Sequence, residues 1–130
     1  MIGKKILIIE DTPELQSLES EALKKAGFEV AVADNGEEGL KHIKKGGIDL
    51  VLMDIVMPDQ SGFEVLSKLK QSHTKIPVIV YSNMSEFLGH NEAIRLGAID
   101  YFEKNITPLE AIVRKINEVF KQTDTPQITE

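Results

Sequence analysis

The sequence predicts a doubly wound α/β domain, a parallel five-stranded sheet with helices packed on both faces. Two observations carry this. Short β-branched and leucine runs recur along the chain, as in Lys5-Ile6-Leu7-Ile8-Ile9 and Ile48-Asp49-Leu50-Val51-Leu52-Met53-Asp54, the second of them almost wholly apolar and suited to a strand covered on both sides. Each run is followed by turn or capping residues and then by a stretch with helical spacing. Strand and helix so alternated give right-handed crossovers and a parallel sheet.

The first strand, Lys5 to Ile9, ends on Glu10-Asp11. Thr12 can cap the next helix with Pro13 at its first position, where a missing N–H costs nothing. Leu15, Leu18, Ala22, Leu23 and Ala26 then fall at helical spacing, and Gly27 closes the helix. Phe28 to Ala33 alternates with period two, as a half-exposed or edge strand does. Asp34-Asn35-Gly36 turns into a weaker helix carrying Leu40 and Ile43, which Gly46-Gly47 ends. The third strand runs from Ile48 to Asp54, before a loop marked by Pro58 and Gly62.

Ser61-Gly62-Phe63-Glu64 has capping-box form and starts a helix burying Val65, Leu66 and Leu69. Ile76 to Tyr81 is the fourth strand, with Pro77 tolerable only at its start. Glu86 to Leu96 is the fourth helix, although Gly89 inside it costs about 1 kcal/mol relative to alanine. Ala98 to Glu103 is a short fifth strand that leads to Lys104. Thr107-Pro108-Leu109-Glu110 is a second capping box, and Leu109, Ile112, Val113, Ile116 and Phe120 line the helix behind it. The domain is expected over residues 4–121, with a polar tail or linker over 122–130.

At 130 residues with 42% hydrophobic and 28% charged side chains, the chain has the makings of one soluble domain with a full core. No apolar run approaches a membrane span, and no signal-peptide cleavage region precedes the first strand. The lack of cysteine excludes disulfides and thiolate metal sites and fits a cytoplasmic address. A net charge of −6 disfavours direct contact with nucleic acid.

In a parallel sheet the carboxyl ends of all strands lie along one edge, where open α/β sheets place their sites. Glu10, Asp11 and Asp54 converge there from the first and third strands, with Ser82 and Lys104 arriving from the fourth and fifth. Taken singly, these are a turn-starting aspartate, two helix-dipole partners, a turn serine and a solvated lysine. Taken jointly, converging carboxylates repel unless compensated, and oxygen-only ligands favour Mg²⁺. Asp54 can then act as a nucleophile toward a phosphoryl group, sharing with Glu10 and Asp11 the ion they hold. Ser82 would hydrogen-bond one phosphoryl oxygen and Lys104 would pair with another. The three histidines (His42, His73 and His90) are scattered without ligand partners and are expected to be solvated.

These residues are the ones by which the chain resembles a receiver domain of two-component response regulators. The matching pieces are Ile8-Ile9-Glu10-Asp11, Asp54-Ile55-Val56-Met57-Pro58 with Gly62, Val80-Tyr81-Ser82, and Gly97-Ala98-Ile99-Asp100-Tyr101-Phe102-Glu103-Lys104. The resemblance implies a flavodoxin-like strand order, 2-1-3-4-5. It also implies a phosphoryl donor, a histidine kinase or histidine phosphotransfer protein, and a Mg²⁺ shell completed by the Val56 backbone carbonyl. Ser82 and Tyr101 match the family's switch pair, which implies readout by a downstream effector through the face of the fourth helix, fifth strand and fifth helix. A phosphorylation-dependent homodimer is left open. Such a protein catalyses its own phosphorylation and turns over no external substrate.

Two positions depart from the family. Asn105 stands where proline usually follows the lysine, and a cis bond before a non-proline residue costs ~2.5–4 kcal/mol, so a trans Lys104–Asn105 bond is expected. Asn83 replaces a usual small residue and either narrows access to Asp54 or binds a phosphoryl oxygen. Val56 offers no polar side chain to position water, which points to slow self-dephosphorylation. Rival classes fit less well. An FMN binder needs a phosphate cradle where this chain has Glu10-Asp11-Thr12-Pro13-Glu14. A haloacid dehalogenase-type phosphatase needs an aspartate where Val56 stands. A receiver-like module that is never phosphorylated has no use for the intact acid, serine and lysine set.

Overall fold

Strands form where β-branched residues alternate without a helical break, and the computed structural model, which describes residues 3–124, has five of them among those residues. In chain order the elements are β1 (Lys5–Ile9), α1 (Pro13–Lys25), β2 (Glu29–Ala33), α2 (Gly36–Lys45), β3 (Leu50–Met53), α3 (Gly62–Gln71), β4 (Val78–Ser82), α4 (Glu86–Arg95), β5 (Asp100–Glu103) and α5 (Leu109–Asp124). The sheet is parallel throughout, in the order β2-β1-β3-β4-β5. The fold class and strand order are as expected, and the alternating β2 is an edge strand.

Strand alternation divides the interior in two. Leu7 and Ile9 of β1, Val51 and Met53 of β3, Val78 and Val80 of β4 and Tyr101 of β5 face one layer, with Val65, Leu66, Leu69 and Ala93 of α3 and α4. Their neighbours Ile6, Ile8, Leu50, Leu52, Ile79 and Tyr81 face the other, with Leu23 of α1 and Ile112, Ile116 and Phe120 of α5. Every residue of β3 is buried, as its composition demands.

Several boundaries differ from expectation for identifiable reasons. Pro77 lies outside β4 and contributes only its carbonyl, which accepts from Val51 N–H at 2.9 Å. Thr12 stands at the N-cap of α1, but its side chain makes no cap bond. Its N–H instead donates to Glu10 Oε2 at 3.1 Å. Thr107 is not the cap of α5 either. The helix starts at Leu109, the Pro108 carbonyl accepts from Ala111 N–H, and the Thr107 carbonyl accepts the Tyr81 hydroxyl at 2.6 Å. The helix α5 runs on through Asp124, past the expected boundary at 121, and the rest of the expected tail, 125–130, lies outside the described residues. Leu18, expected in the core, is 55% exposed, and the residue buried in its place is Glu19.

Candidate functional site

The site begins where β1 and β3 run out. The backbone N–H of Asp54 donates to Ile9 O at 3.0 Å, so the sheet ladder carries the aspartate directly beside the end of β1. The Glu10 N–H donates to Ala33 O at 3.1 Å and fixes that residue in the same way. Glu10 and Asp54 are buried while Asp11 is exposed, and one carboxylate oxygen from each lies within 4.8 Å of the others. Hard oxygen donors crowded to that spacing suit a divalent cation such as Mg²⁺. Such an ion would be held by Glu10, Asp11 and Asp54.

Lys104 faces them. Its Nζ donates to Asp54 Oδ2 at 3.1 Å and also to Glu10 Oε1, with only 7% of its side chain exposed. Burial alone would lower the ammonium pKa, but the hydrogen bond it donates to Glu10 and the charge of Asp54 outweigh it and hold Lys104 above the ordinary lysine range. The Tyr81 ring lies 5.9 Å from the ammonium and closes one side. Asp54 Oδ1 accepts from Val56 N–H at 3.2 Å, which aims the carboxylate along its own loop. Asn105 leaves the Lys104–Asn105 bond trans, as expected.

That loop is shaped by close approach. Gly62 N–H donates to Ile55 O at 2.8 Å, and a β-carbon at Gly62 would lie 2.6 Å from the Asp54 carbonyl oxygen and 2.8 Å from Ile55 Cα. The obstructing atoms are backbone and cannot rotate away. Gly62→Ala is therefore expected to cost about 1–3 kcal/mol in urea unfolding, in the range of overpacking, and unchanged stability would contradict the packing. At the far end of the loop Asp59 accepts from Gly36 N–H at 3.2 Å and Glu37 N–H at 3.1 Å. Desolvation is the largest single effect and works upward, but the bonds to backbone amides together outweigh it, hold the carboxyl below the ordinary range, and clip the loop to the start of α2.

Ser82 closes β4, fully buried, and its Oγ accepts from Met84 N–H at 3.3 Å. Tyr101 points inward from β5, 1% exposed, and its hydroxyl donates to Met84 O at 2.8 Å. Burial, followed by the Glu103 and Asp54 charges, pushes this phenol up to about 12. The structure thus gathers Glu10, Asp11, Asp54 and Lys104 into one cluster, sets Val56 on the Asp54 carboxylate, and ties Ser82 to Tyr101 through Met84. Val56 is itself 59% exposed, and Asn83 is exposed beside Ser82. Among the histidines, His90 is not simply solvated, because its ring meets Tyr101 edge-on with centroids 6.2 Å apart.

Sequence reasoning missed Glu19. It lies four residues before Leu23 on the same stripe of α1, is 3% exposed, and its Oε2 has no hydrogen-bond partner. Burial pushes its carboxyl up to about 8, with Lys104 opposing and Glu10 and Asp54 adding to the rise. Gln16 was missed too. Its Nε2 donates to the Glu10 carbonyl and to Asp34 Oδ1, tying the end of β1 to the end of β2.

A sequence model described as the response regulator receiver domain matches residues 6–117. The chain belongs to that family. This receiver is 33% identical over 121 residues to the chemotaxis protein CheY of Thermotoga maritima, covering 92% of this chain and all of that protein. It is 38% identical to the transcriptional regulatory protein CpxR of Escherichia coli K12, over 85% of this chain and 47% of that one. The regulatory protein VanRc of Enterococcus gallinarum is 32% identical, over 87% of this chain and 48% of its own. The chain therefore spans about half of two of these regulators. Among solved structures, the response regulator TrrA of Thermotoga maritima in complex with Mg(2+)-BeF has a TM-score of 0.79 and 30% identity, covering 89% of this receiver and 98% of that chain. The receiver domain of a Francisella response regulator has a TM-score of 0.88 at 24% identity, covering 93% and 99% of the two chains, a likeness of fold. Receiver domains are signalling switches, not turnover enzymes.

Proposed function

We propose that this receiver is a Mg²⁺-dependent switch whose Asp54 accepts a phosphoryl group from the phosphohistidine of a histidine kinase or histidine phosphotransfer protein. The observation that carries the reading is the Lys104 ammonium bridging Asp54 and Glu10, with Asp11 completing an acidic cluster of ion-binding size. The Asp54 oxygen attacks phosphorus while the bond from phosphorus to the imidazole nitrogen breaks, and the nitrogen leaves with the electron pair. Lys104 holds Asp54 in place and pairs with a phosphoryl oxygen as charge spreads over the transferred group. Ser82 offers its hydroxyl to another. Glu10, Asp11, Asp54 and the Val56 carbonyl would hold Mg²⁺, which would supply the positive charge that neutralises the carboxylates and the incoming phosphoryl oxygens.

The chain catalyses this step on itself, and the aspartyl phosphate is expected to be long-lived because Val56 positions no water. The change would be read through the α4-β5-α5 face by a downstream effector protein or domain or in a homodimer. Exposed Phe87, Leu88 and Ile94 on α4 support that surface. With a net charge of −6 the receiver would not bind nucleic acid itself. Among the described residues no helix is long and apolar enough to cross a membrane, and a cytoplasmic setting fits the proposed partners.

The deciding experiment is intact mass after incubation with acetyl phosphate and Mg²⁺. Wild type should gain one phosphoryl group, and Asp54→Asn, or wild type with the metal chelated, should gain none. Equal labelling of Asp54→Asn would sink the assignment.

A further inference from the structure

None of the contacts that hold the Tyr101 ring inward involves Asp54. The hydroxyl donates to the Met84 carbonyl, the ring edge meets His90, and the tip of the ring fills a hollow over Gly89 on α4. A β-carbon at Gly89 would stand 2.8 Å from Tyr101 Cζ and 2.9 Å from Cε2, and closer still to the hydroxyl oxygen. A β-carbon essentially never approaches another heavy atom so closely, and a ring 1% exposed can yield only by leaving its place. Glycine in a helix interior is ordinarily inferior to alanine. Here the ring requires it. The same contacts reach the pocket, because Met84 accepts the Tyr101 hydroxyl with its carbonyl and donates its N–H to Ser82 Oγ.

We propose that Gly89 is a positioning residue whose hollow holds Tyr101 inward and braces the Ser82–Met84 turn before Asp54 carries a phosphoryl group. The aromatic half of the switch then rests where the turn needs it. A phosphoryl group shifts an equilibrium only by its differential affinity for the two states, and here the inward state is already filled through α4. The meaning of this device rests on the phosphoryl-switch reading, but its geometry does not.

The chain has no tryptophan and two tyrosines, so Tyr81→Phe leaves Tyr101 as the sole emitter. Acrylamide quenching of that emission should be weak and equal with Mg²⁺ alone and with Mg²⁺ plus beryllofluoride. Adding Gly89→Ala should raise quenching of the unliganded protein several-fold. Gly89→Ala should also lower the thermal midpoint, and Tyr101→Leu should recover that loss in the double variant, which a clash elsewhere would not allow. Quenching near that of free tyrosine in the unliganded protein with glycine in place, falling only with beryllofluoride, would overturn the proposal. So would quenching unchanged by Gly89→Ala. Should Gly89→Ala fail to fold, the measurement with glycine retained still decides. Failure of Asp54 to gain mass would instead overturn the phosphoryl reading and leave the quenching result standing.

Discussion

Lys104→Met is expected to slow phosphoryl incorporation from acetyl phosphate by about 10²–10³-fold, the usual consequence of removing one preorganised group that stabilises developing charge. It should also destabilise the protein. The side chains of Lys104, Glu10 and Asp54 are 7%, 2% and 9% exposed, so the methionine leaves two buried carboxylates facing each other. Breaking a buried pair from one side costs about 3–5 kcal/mol. The raised pKa of Lys104 sets the pH window. Its contribution is complete below the ordinary lysine value and drains away only as pH climbs through the higher folded value, so the wild-type advantage should persist across the neutral range. Added Mg²⁺ separates the two effects, since the ion can offset repulsion between the acids but cannot stand where the ammonium meets the phosphoryl oxygen. Urea unfolding with and without Mg²⁺, beside a mass time course, measures both. Wild-type rate and stability in the variant would refute the role given to Lys104.

Glu19→Leu is expected to act in the opposite direction and stabilise the protein by about 1–3 kcal/mol at pH 7, as removal of an unpaired buried polar group should. An acid held protonated in the fold binds a proton that the unfolded chain gives up near its ordinary value of 4.5, whereas the folded carboxyl releases it near 8. Between those values the unfolded state binds fewer protons, so stability falls as pH rises, by at most about 1.4 kcal/mol per pH unit. Glu19→Leu should flatten that slope and Glu19→Gln should do the same. Unfolding curves at pH 5, 7 and 8.5 would show it. A leucine variant less stable than wild type at pH 7 would mean that Glu19 has a partner in the ionised form.

The sheet was legible because burial on both faces leaves a plain mark in Leu50-Val51-Leu52-Met53, and because parallel strands must deliver Glu10, Asp54 and Lys104 to one edge. The pairing of Lys104 with Glu10 as well as Asp54 was not legible, since strand ends fix an edge but not which oxygen an ammonium reaches. The face of α1 was misread. Leu18 and Glu19 both fit a helical stripe, and hydrophobicity favoured the leucine, whereas packing left Leu18 over an open groove of about 500 Å³ beside Leu109 and Val113. The cap expected at Ser61 formed, its Oγ accepting from Glu64 N–H at 3.3 Å. The box at Thr107 failed because Pro108 supplied the cap from its backbone. Gly89 read as a weak point in a helix, because a hollow made for a distant side chain leaves no trace in local sequence.

The alternation of β4 and β5 has a consequence for how such a protein can change. Lys104 and Tyr81 border the layer under α1 and α5, along with Glu19, while Ser82 continues the parity of Val78 and Val80 and Tyr101 sits with them against α4. The wall between these two interiors is one strand thick. Substitutions on one side retune the charge felt by Asp54, and substitutions on the other retune the mechanics of the adjoining turn, so the two properties can drift apart over generations without either having to wait for the other.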